Sequence, residues 1–225
     1  ERRTILVQVE GLMLREATGL CADRDRGIRA YGVLIQGAAQ VMITGSTISG
    51  NSWDGIWLGG TAQVVITDST ISGNRSDGIE LRGSAQAVIT GSTISGNMRN
   101  GIDLRNTAQA VISDSMISGN RQNGIELQGS AQAEITASTI SDNGGDGIHL
   151  RNATTLNLVD SRILRNRRYG VSAHLPDCVC AEDYRARWKF TGQVTGSGNR
   201  IPGRGGSDRN RKGAVCPPEF AFLMR

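Results

Sequence analysis

Residues 78–100 read GIELRGSAQAVITGSTISGNMRN, and residues 101–123 continue as GIDLRNTAQAVISDSMISGNRQN. The two segments align without a gap, and the same 23-residue unit repeats six times between residues 32 and 169. A fixed period of this length is the sequence signature of a solenoid, in which each repeat forms one turn around a continuous core. A glycine opens every unit and also follows the last one: Gly32, Gly55, Gly78, Gly101, Gly124, Gly147 and Gly170.

Each unit contains three short segments in which apolar and polar residues alternate. In residues 78–100 they are Gly-Ile-Glu-Leu, Ala-Val-Ile-Thr and Ser-Thr-Ile-Ser. Alternation with a period of two among β-branched residues predicts strands, and it excludes the paired helices of ankyrin or tetratricopeptide repeats. We therefore predict an all-β, single-stranded parallel β-helix of about seven 23-residue coils, with three strands per coil and capped ends.

Three columns of aliphatic residues are predicted to fill the interior. Each buried isoleucine contributes about 1.5–3 kcal/mol, so these columns drive the stacking of coils about 4.8 Å apart. The first column is Ile43, Ile66, Ile89, Ile112, Ile135 and Leu158. The second is Ile48, Ile71, Ile94, Ile117, Ile140 and Ile163, and the third is Ile56, Ile79, Ile102, Ile125 and Ile148.

The turn after the third strand of each unit carries an asparagine. Asparagine tolerates left-handed backbone angles, and its amide both donates and accepts, so stacked copies can hydrogen-bond along the axis. We predict a ladder with a structural role rather than a catalytic one, formed by Asn51, Asn74, Asn97, Asn120, Asn143 and Asn166.

The order Gly-Ile-x-Leu, then Ile-Thr-x-Ser-Thr-Ile-Ser-Gly-Asn, resembles the repeat of pectate-lyase-like parallel β-helix proteins over about residues 27–173. The segment 196–203, Gly-Ser-Gly-Asn-Arg-Ile-Pro-Gly, is similar to the tail of uncharacterised bacterial β-helix repeat proteins. The resemblance implies a right-handed coil, which agrees with the usual hand of parallel crossovers. It also implies that an active site would lie on the outer face of one sheet.

The ends of a solenoid need caps, because the terminal coils expose the core and unpaired strand edges. We interpret residues 1–31 as a degenerate first coil, residues 32–169 as six regular coils, and residues 170–225 as a decaying last coil and C-terminal cap. The middle coils lack aromatic residues, and we expect a hydrophobic lid at the C-terminal end formed by Trp188, Phe190, Phe220 and Phe222.

Three of the four cysteines lie in the predicted cap, where Cys216 is expected to pair with Cys178 or Cys180. A disulfide requires an oxidising compartment, so we expect a secreted or cell-surface protein, with the periplasm as an alternative. The spacing Cys178-x-Cys180 is too tight for the usual zinc site, and the sequence predicts no metal site.

The net charge of +4 conceals an uneven distribution. Residues 1–150 carry 11 basic and 15 acidic side chains, whereas residues 151–225 carry 14 and 6. A basic end suits a polysaccharide, a cell-surface polyanion or nucleic acid, and it is as typical of a solvated, loop-rich end. Nucleic acid is the least favoured partner because no recognition motif is present. No stretch approaches the roughly 18 apolar residues of a membrane span. The sequence does not indicate an oligomeric state.

The outward positions of the Gly-Ile-x-Leu strands hold the candidate site. Carboxylates stacked about 4.8 Å apart repel one another unless neighbouring arginines neutralise them. The row is then either a solvated ladder of charge pairs or a site that binds Ca²⁺ or an acidic sugar and supplies acid–base catalysis. The catalytic candidates are Glu80, Asp103, Glu126, His149 and Arg151, and the candidate sugar-binding residues are Trp53, Trp57, Arg82 and Arg105.

We favour an extracellular scaffold or carbohydrate-binding module without catalytic activity or cofactor. The chain lacks the calcium-binding aspartates and catalytic arginine of the lyases, and the Asn-x-Asp, Asp-Asp and Gly-His-Gly combination of polygalacturonases. The Tyr-Gly-x-Asp-Pro-His pattern of alginate epimerases is also absent. We expect no tight calcium site, because the outer carboxylates lie far apart and the arginines compete for the same oxygens. The alternative is a lyase, hydrolase or epimerase that acts on an acidic glycan through Glu80, Asp103, Glu126 and His149.

A minor alternative is ice binding by the third strand of each unit. Its outward hydroxyl groups resemble the Thr-x-Thr face of β-helical ice-binding proteins, although Met116 interrupts the row and Arg162 ends it. The array comprises Thr47, Thr70, Thr93 and Thr139, with Ser49, Ser72, Ser95, Ser118 and Ser141.

Overall fold

The 23-residue period is realised as three sheets of parallel strands. The structure, a computed structural model, describes residues 6–10, 13–15, 31–173, 190–216 and 218–225. Each turn around the axis passes once through every sheet. The prediction of an all-β, right-handed parallel β-helix with three strands per coil is therefore confirmed.

The strands are numbered in chain order. Sheet 1 contains β3 (Val33–Gly37), β6 (Ile56–Gly60), β9 (Ile79–Leu81), β12 (Ile102–Leu104), β15 (Ile125–Leu127), β18 (Ile148–Leu150), β21 (Tyr169–Ala173) and β23 (Gly213–Cys216). Sheet 2 contains β1 (Leu6–Glu10), β4 (Gln40–Thr44), β7 (Gln63–Thr67), β10 (Gln86–Thr90), β13 (Gln109–Ser113), β16 (Gln132–Thr136), β19 (Thr155–Val159) and β22 (Gln193–Ser197). Sheet 3 contains β2 (Met13–Arg15), β5 (Thr47–Ser49), β8 (Thr70–Ser72), β11 (Thr93–Ser95), β14 (Met116–Ser118), β17 (Thr139–Ser141) and β20 (Arg162–Leu164). A 3₁₀ helix, Pro218–Met224, ends the chain.

The predicted aliphatic columns form the core. All residues of the three columns are at most 1% exposed. The leucines of the Gly-Ile-x-Leu segments face inward beside them, and the fourth column thus formed is Leu58, Leu81, Leu104, Leu127 and Leu150.

The glycine that opens each unit is required by close packing between coils. A Cβ atom on Gly78 would lie 2.6 Å from the carbonyl oxygen of Gly101 and from Cγ2 of Ile94, and 2.7 Å from Nδ2 of Asn97. Any side chain at this position would push the next coil away. The glycine at this position of every unit is therefore required by the short distance between stacked coils.

The predicted asparagine ladder is confirmed. The backbone N–H and Nδ2 of Asn97 both donate to Oδ1 of Asn120, at 3.0 and 2.9 Å. The ladder continues beyond Asn166 to Asn210, which receives the same two bonds at 2.9 and 3.0 Å. The sequence analysis missed Asn210 because insertions lengthen the last coil and place it 44 residues after Asn166.

A second ladder, of serines, runs through the turn between sheets 2 and 3. The Oγ of Ser92 accepts the N–H of Ser69 at 3.1 Å and donates to the Thr90 carbonyl at 2.9 Å. The sequence analysis did not identify it, although a serine precedes the third strand in every unit. The ladder comprises Ser46, Ser69, Ser92, Ser115, Ser138 and Ser161, and it ends on Asn199.

Aromatic residues cover the C-terminal end of the core. Phe190 and Phe220 are 9% and 7% exposed, and their rings meet edge to face with centroids 5.9 Å apart. Phe222 is 37% exposed, so its predicted place in the lid is wrong: it lies on the outer side of the 3₁₀ helix. Cys216 is disulfide-bonded. Trp188, Cys178, Cys180 and most of residues 1–31 lie outside the described residues.

We predict that Asn97→Ala lowers the free energy of unfolding by about 1–3 kcal/mol, because it leaves the buried backbone N–H and Nδ2 of Asn74 without an acceptor and removes one of the two donors to Oδ1 of Asn120. Urea unfolding followed by circular dichroism measures the change. Met98→Ala, at an exposed position one residue later, is the matched control and should change stability little. An unchanged midpoint in Asn97→Ala would show that the ladder does not stabilise the coils.

Candidate functional site

A third ladder brings acidic groups to the edge of sheet 1. The Oδ1 of each member accepts the backbone N–H of the equivalent residue in the next coil, at 2.7–3.0 Å. This polarity is opposite to that of the asparagine ladder, whose side chains accept from the preceding coil. An aspartate in this position uses one carboxylate oxygen as the ladder acceptor, and its second oxygen takes no part in the ladder. The members, which we call the Asx ladder, are Asp54, Asp77, Asn100, Asn123 and Asp146.

The predicted carboxylate row lies beside the Asx ladder and is buried. Asp103 is opposite Glu80 and Glu126 in the sheet register, as the repeat requires. Glu80 and Asp103 are only 3% and 1% exposed. The expectation of a solvated ladder is therefore wrong, because arginines of the adjacent row fold over these carboxylates.

Two arginines neutralise the first two carboxylates of the row. The Oε1 of Glu80 accepts the Nε of Arg82 at 2.8 Å and lies 3.3 Å from the Nε of Arg105. The Oδ2 of Asp103 accepts the Nη2 of Arg105 at 2.7 Å. Although burial opposes the charge, Asp103 and Glu80 raise the pKa of Arg105 further above its ordinary value, so this arginine stays charged.

Glu126 is held by a different set of donors. The Nδ2 atoms of Asn100 and Asn123 lie 3.2 and 3.3 Å from its Oε2, and the Nε of Arg151 lies 3.1 Å from its Oε1. The Asx ladder has asparagine rather than aspartate at these two levels. It thus supplies donors, and no negative charge, where Glu126 needs them.

The N-terminal part of the Asx ladder lacks such donors. One carboxylate oxygen from each of Asp54, Asp77 and Glu80 lies within 4.8 Å of the others, and all three residues are buried. The Oδ2 of Asp77 and the Oδ1 of Asp103 have no hydrogen-bond partner among the described residues. Buried carboxyl groups this close either take up protons or surround a cation, and Asp54, Asp77 and Glu80 are the residues that can hold one. The sequence predicts no metal site, and Asp54 and Asp77 are not among the candidate residues that its repeat pattern indicates.

Protonation is favoured by the surroundings of these groups. Burial, reinforced by the negative charges of Asp103 and Asp54, raises the pKa of Asp77 to about 8. Burial also raises the pKa of Asp54 to about 6, although the Ser76 hydroxyl lowers it. The pKa of Asp103 is raised to about 6 by burial in spite of its bond to Arg105. At neutral pH, Asp77 is therefore largely uncharged in the folded protein.

His149 belongs to a buried hydrogen-bonded group at the C-terminal end of the row. Its Nδ1 lies 2.8 Å from the Oγ of Ser172 and 3.2 Å from the Oδ2 of Asp146, and Ser172 donates to the same Oδ2 at 2.8 Å. Serine and aspartate contact one ring nitrogen, so this is not the arrangement that activates a serine nucleophile. Burial would raise the pKa of Asp146, but His149, Arg168 and the N–H of Tyr169 hold the pKa below its usual value.

Aromatic residues occupy the N-terminal end of the same row. Trp57 precedes Glu80 by one coil, and its ring covers Gly59, where a Cβ atom would clash with it. The ring of Tyr31 lies 6.5 Å from that of Trp53 and 6.1 Å from that of Trp57. The structure thus brings the two predicted tryptophans together around Tyr31, which the sequence analysis missed.

A shallow depression lies next to the carboxylate row, on its arginine side. Its volume is about 380 Å³, and all its side chains are polar. The sequence analysis named only the two arginines; the other residues stand in the turn after each sheet 1 strand, where the repeat varies. The lining residues are Arg82, Arg105, Asn106, Gln128, Gly129 and Asn152.

The remaining sequence candidates lie on sheet 3. Thr70, Thr93, Met116 and Thr139 are stacked in register, with Arg162 after them, so the hydroxyl row is interrupted as the sequence indicates. This face is separate from the carboxylate row, which belongs to sheet 1.

Residues 31–177 match the family described as "Right handed beta helix region", and the chain belongs to this family. No curated protein sequence matches the chain. No helix in the described ranges has the length and apolar character that a membrane span needs.

Several solved structures share the fold. A mutant of the periplasmic alginate epimerase AlgG has 16% identity and a TM-score of 0.69, over 82% of this chain and 44% of that one. The Azotobacter vinelandii mannuronan C-5 epimerase AlgE6 A-module has 16% identity and a TM-score of 0.59, over 83% and 55%. Pectate lyase Pel9A has 11% identity and a TM-score of 0.56, over 86% and 69%. The chain thus spans about half the length of the two epimerases.

We predict that the raised pKa of Asp77 makes the protein less stable as pH rises from about 4 to 8. The folded state binds the proton more tightly than the unfolded state, so this stabilisation is complete below the unfolded pKa and is lost through the folded pKa of about 8. The loss approaches about 1.4 kcal/mol per pH unit for one such group. Asp77→Asn removes it, and asparagine already occupies this ladder at Asn100 and Asn123.

Urea unfolding at pH 5, 6.5 and 8 tests this difference. The wild type should lose stability relative to Asp77→Asn across the series. Asp142→Asn is the control, because Arg165 lowers the pKa of Asp142 and its titration falls below this range. Parallel pH profiles for wild type and Asp77→Asn would mean that Asp77 is ionised in the folded protein.

Proposed function

We propose that the protein is a secreted or periplasmic β-helix that binds an acidic polysaccharide on the outer face of sheet 1 without cleaving or epimerising it. The depression lined by Arg82, Arg105 and three side-chain amides carries the proposal. Guanidinium groups bind carboxylates through paired N–H donors, and amides both donate to and accept from sugar hydroxyls. The set therefore suits a uronate unit.

Arg82 and Arg105 are able to bind a ligand while they neutralise the carboxylates of Glu80 and Asp103. Their side chains are 49% and 30% exposed, whereas those of Glu80 and Asp103 are 4% and 1% exposed. Each guanidinium has five N–H donors, and the buried carboxylates use only part of them. The outer edges of both groups remain available to a carboxylate that approaches from solvent.

The dimensions of the site favour a unit of a longer chain. A volume of about 380 Å³ is at the low end of the roughly 300–1,000 Å³ range of small-molecule sites. The depression lies along the solenoid, and the aromatic group of Trp57, Trp53 and Tyr31 stands further along the same sheet. Aromatic rings pack against the apolar faces of sugars, so a chain can extend toward this end.

Two further observations support the ligand class and the compartment. The solved structures that share the fold are named as enzymes of alginate, mannuronan and pectate, which are acidic polysaccharides. At 11–16% identity this likeness concerns the fold, and it supports the ligand only as part of the proposal. The disulfide of Cys216 agrees with an oxidising compartment.

We predict that the protein binds polygalacturonate or polymannuronate and does not bind neutral dextran, as measured by isothermal titration calorimetry. Arg82→Gln should weaken binding about 10- to 100-fold, since hydrogen bonds to charged groups contribute about 1.5–3 kcal/mol. Arg162→Gln, which removes an exposed arginine from sheet 3, is the matched control and should bind as the wild type does. Equal affinity for dextran and polyuronate would contradict the proposal.

The second candidate is a polysaccharide lyase or epimerase, and His149 is the observation that favours it. Both reactions begin when a base takes the proton from C5 of a uronate whose carboxylate is neutralised. His149 is a nearly buried imidazole oriented by Asp146, and Arg151 lies two residues further along β18 and the turn that follows it.

We expect binding without turnover, because the oxygens of Glu80 and Glu126 that face this site are engaged by arginine and asparagine donors. Proton NMR of polymannuronate or polygalacturonate in D₂O reports both exchange at C5 and formation of a C4–C5 double bond. Turnover by the wild type that disappears in His149→Gln and persists in Arg162→Gln would replace the binding proposal with the catalytic one.

A further inference from the structure

The turn between sheets 3 and 1 carries a line of exposed arginines. Two residues follow the ladder asparagine in each turn, and neither belongs to the depression on sheet 1. In five of the coils an exposed arginine stands at one of these two positions. We call this set the basic ridge; its members are Arg75, Arg99, Arg121, Arg167 and Arg211.

Backbone hydrogen bonds fix the spacing of the ridge. The N–H of Arg121 donates to the carbonyl of Asn97, and that of Arg167 to the carbonyl of Asn143, both at 2.9 Å. Each turn is thereby bonded to the turn before it, so the ridge advances one strand spacing, about 4.8 Å, per coil. Between Arg75 and Arg211, only the coil with Gly144 and Gly145 contributes no cation. Bonds of the same kind hold Arg75, Arg99 and Arg211.

The ridge is short of counter-charges, although the charge of Arg99 acts on Asp77 of the Asx ladder and opposes the rise of its pKa. No aspartate or glutamate occupies either turn position in any coil from Ser52 to Lys212. Within the part of the chain that the structure describes, none of the five ridge arginines forms an ion pair, whereas Arg82, Arg105 and Arg151 each do. Like charges stacked at repeat distance oppose the packing of coils, so this row does not serve stability.

We propose that the basic ridge binds a linear polyuronate that lies parallel to the solenoid axis, with the carboxylates on one side of the chain facing the arginines. The ligand class rests on the proposed function; the surface is new. An extended 1,4-linked pyranose chain repeats at nearly the strand spacing of about 4.8 Å. Because successive units are turned about the chain axis, only some of the carboxylates face the ridge, and an exposed guanidinium at the same level can bind such a carboxylate through two N–H groups.

The composition of the ridge favours a polysaccharide over nucleic acid. Proteins that bind single-stranded nucleic acid combine a basic surface with aromatic side chains on which the bases stack. The two turn positions hold no aromatic residue in the coils from Arg75 to Lys212, and Trp53, one coil earlier, packs against Tyr31. A polyanion that carries charge but no stacking bases matches this surface.

The test compares three matched forms of the full chain. The ridge variant is Arg75→Gln/Arg121→Gln/Arg167→Gln; the control, with the same change in net charge, is Arg162→Gln/Arg200→Gln/Arg225→Gln. Calorimetry with oligogalacturonates of three and twelve units, at 50 and 200 mM salt, measures affinity. We expect the ridge variant to bind the twelve-unit chain at least tenfold more weakly and with a smaller salt dependence. Binding of the trimer, which fits the depression alone, should stay unchanged in both variants.

The outcomes separate the ridge from the proposed function. Unchanged twelve-unit binding in the ridge variant, together with weaker binding in Arg82→Gln, would overturn the ridge and keep the depression. No binding of any uronate by the wild type would overturn both. Binding of oligothymidylate as tight as that of the uronate, and lost in the ridge variant, would make the partner a nucleic acid. A gain-of-function variant tests the ridge independently of any loss of folding: Gln122→Arg adds a cation at an exposed ridge position and should strengthen twelve-unit binding.

Discussion

Pairing between residues 23 positions apart governs this structure. Parallel strands and units of equal length let the backbone N–H and carbonyl groups of one coil find partners in the next, in the turns as well as in the sheets. A residue that suits one coil is therefore repeated in every coil and becomes a column. Isoleucine columns fill the core, asparagine and serine columns satisfy the turns, and the glycine column lets the coils approach.

The same rule makes charged residues a problem, because a stacked charge meets its own kind about 4.8 Å away. In the carboxylate row on sheet 1 and the adjacent Asx ladder, the repulsion between stacked charges is offset in a different way in each coil. Arginines two residues further along the chain neutralise Glu80 and Asp103. Glu126 receives amide donors from ladder asparagines, and Asp77 holds a proton at neutral pH because burial and its neighbours raise its pKa. The basic ridge, in contrast, leaves like charges in solvent without ion pairs among the described residues.

The fold was predictable from the sequence because the alternation of apolar and polar residues and the 23-residue period can both be read along the chain. The inward isoleucines, the asparagine ladder and the register of Asp103 against Glu80 follow directly from the 23-residue spacing. Two features did not follow. Burial of the carboxylates depends on the conformations of the long arginine side chains. The repeat period does not specify these conformations. Asn199 and Asn210 join their ladders after insertions in the sequence that break the 23-residue spacing. Only their contacts in the structure therefore identify them as ladder members.

Variation between repeats locates function in a chain whose other columns hardly change. Five consecutive coils have glutamine at the exposed first position of the sheet 2 strand, from Gln40 to Gln132, and the side chains of Gln40, Gln63 and Gln86 hydrogen-bond to one another along the axis. The middle position of the sheet 1 strand changes in almost every coil, from Trp57 through the acidic residues to His149. Neighbours in this row must also accommodate one another within one strand spacing, as the asparagines at the level of Glu126 do. Stacking alone would favour one residue repeated, so the diversity of this row reflects a requirement from outside the fold. A ligand that presents different groups along its length is such a requirement, and this variation agrees with the binding face proposed on sheet 1, since sheets 2 and 3 are more uniform.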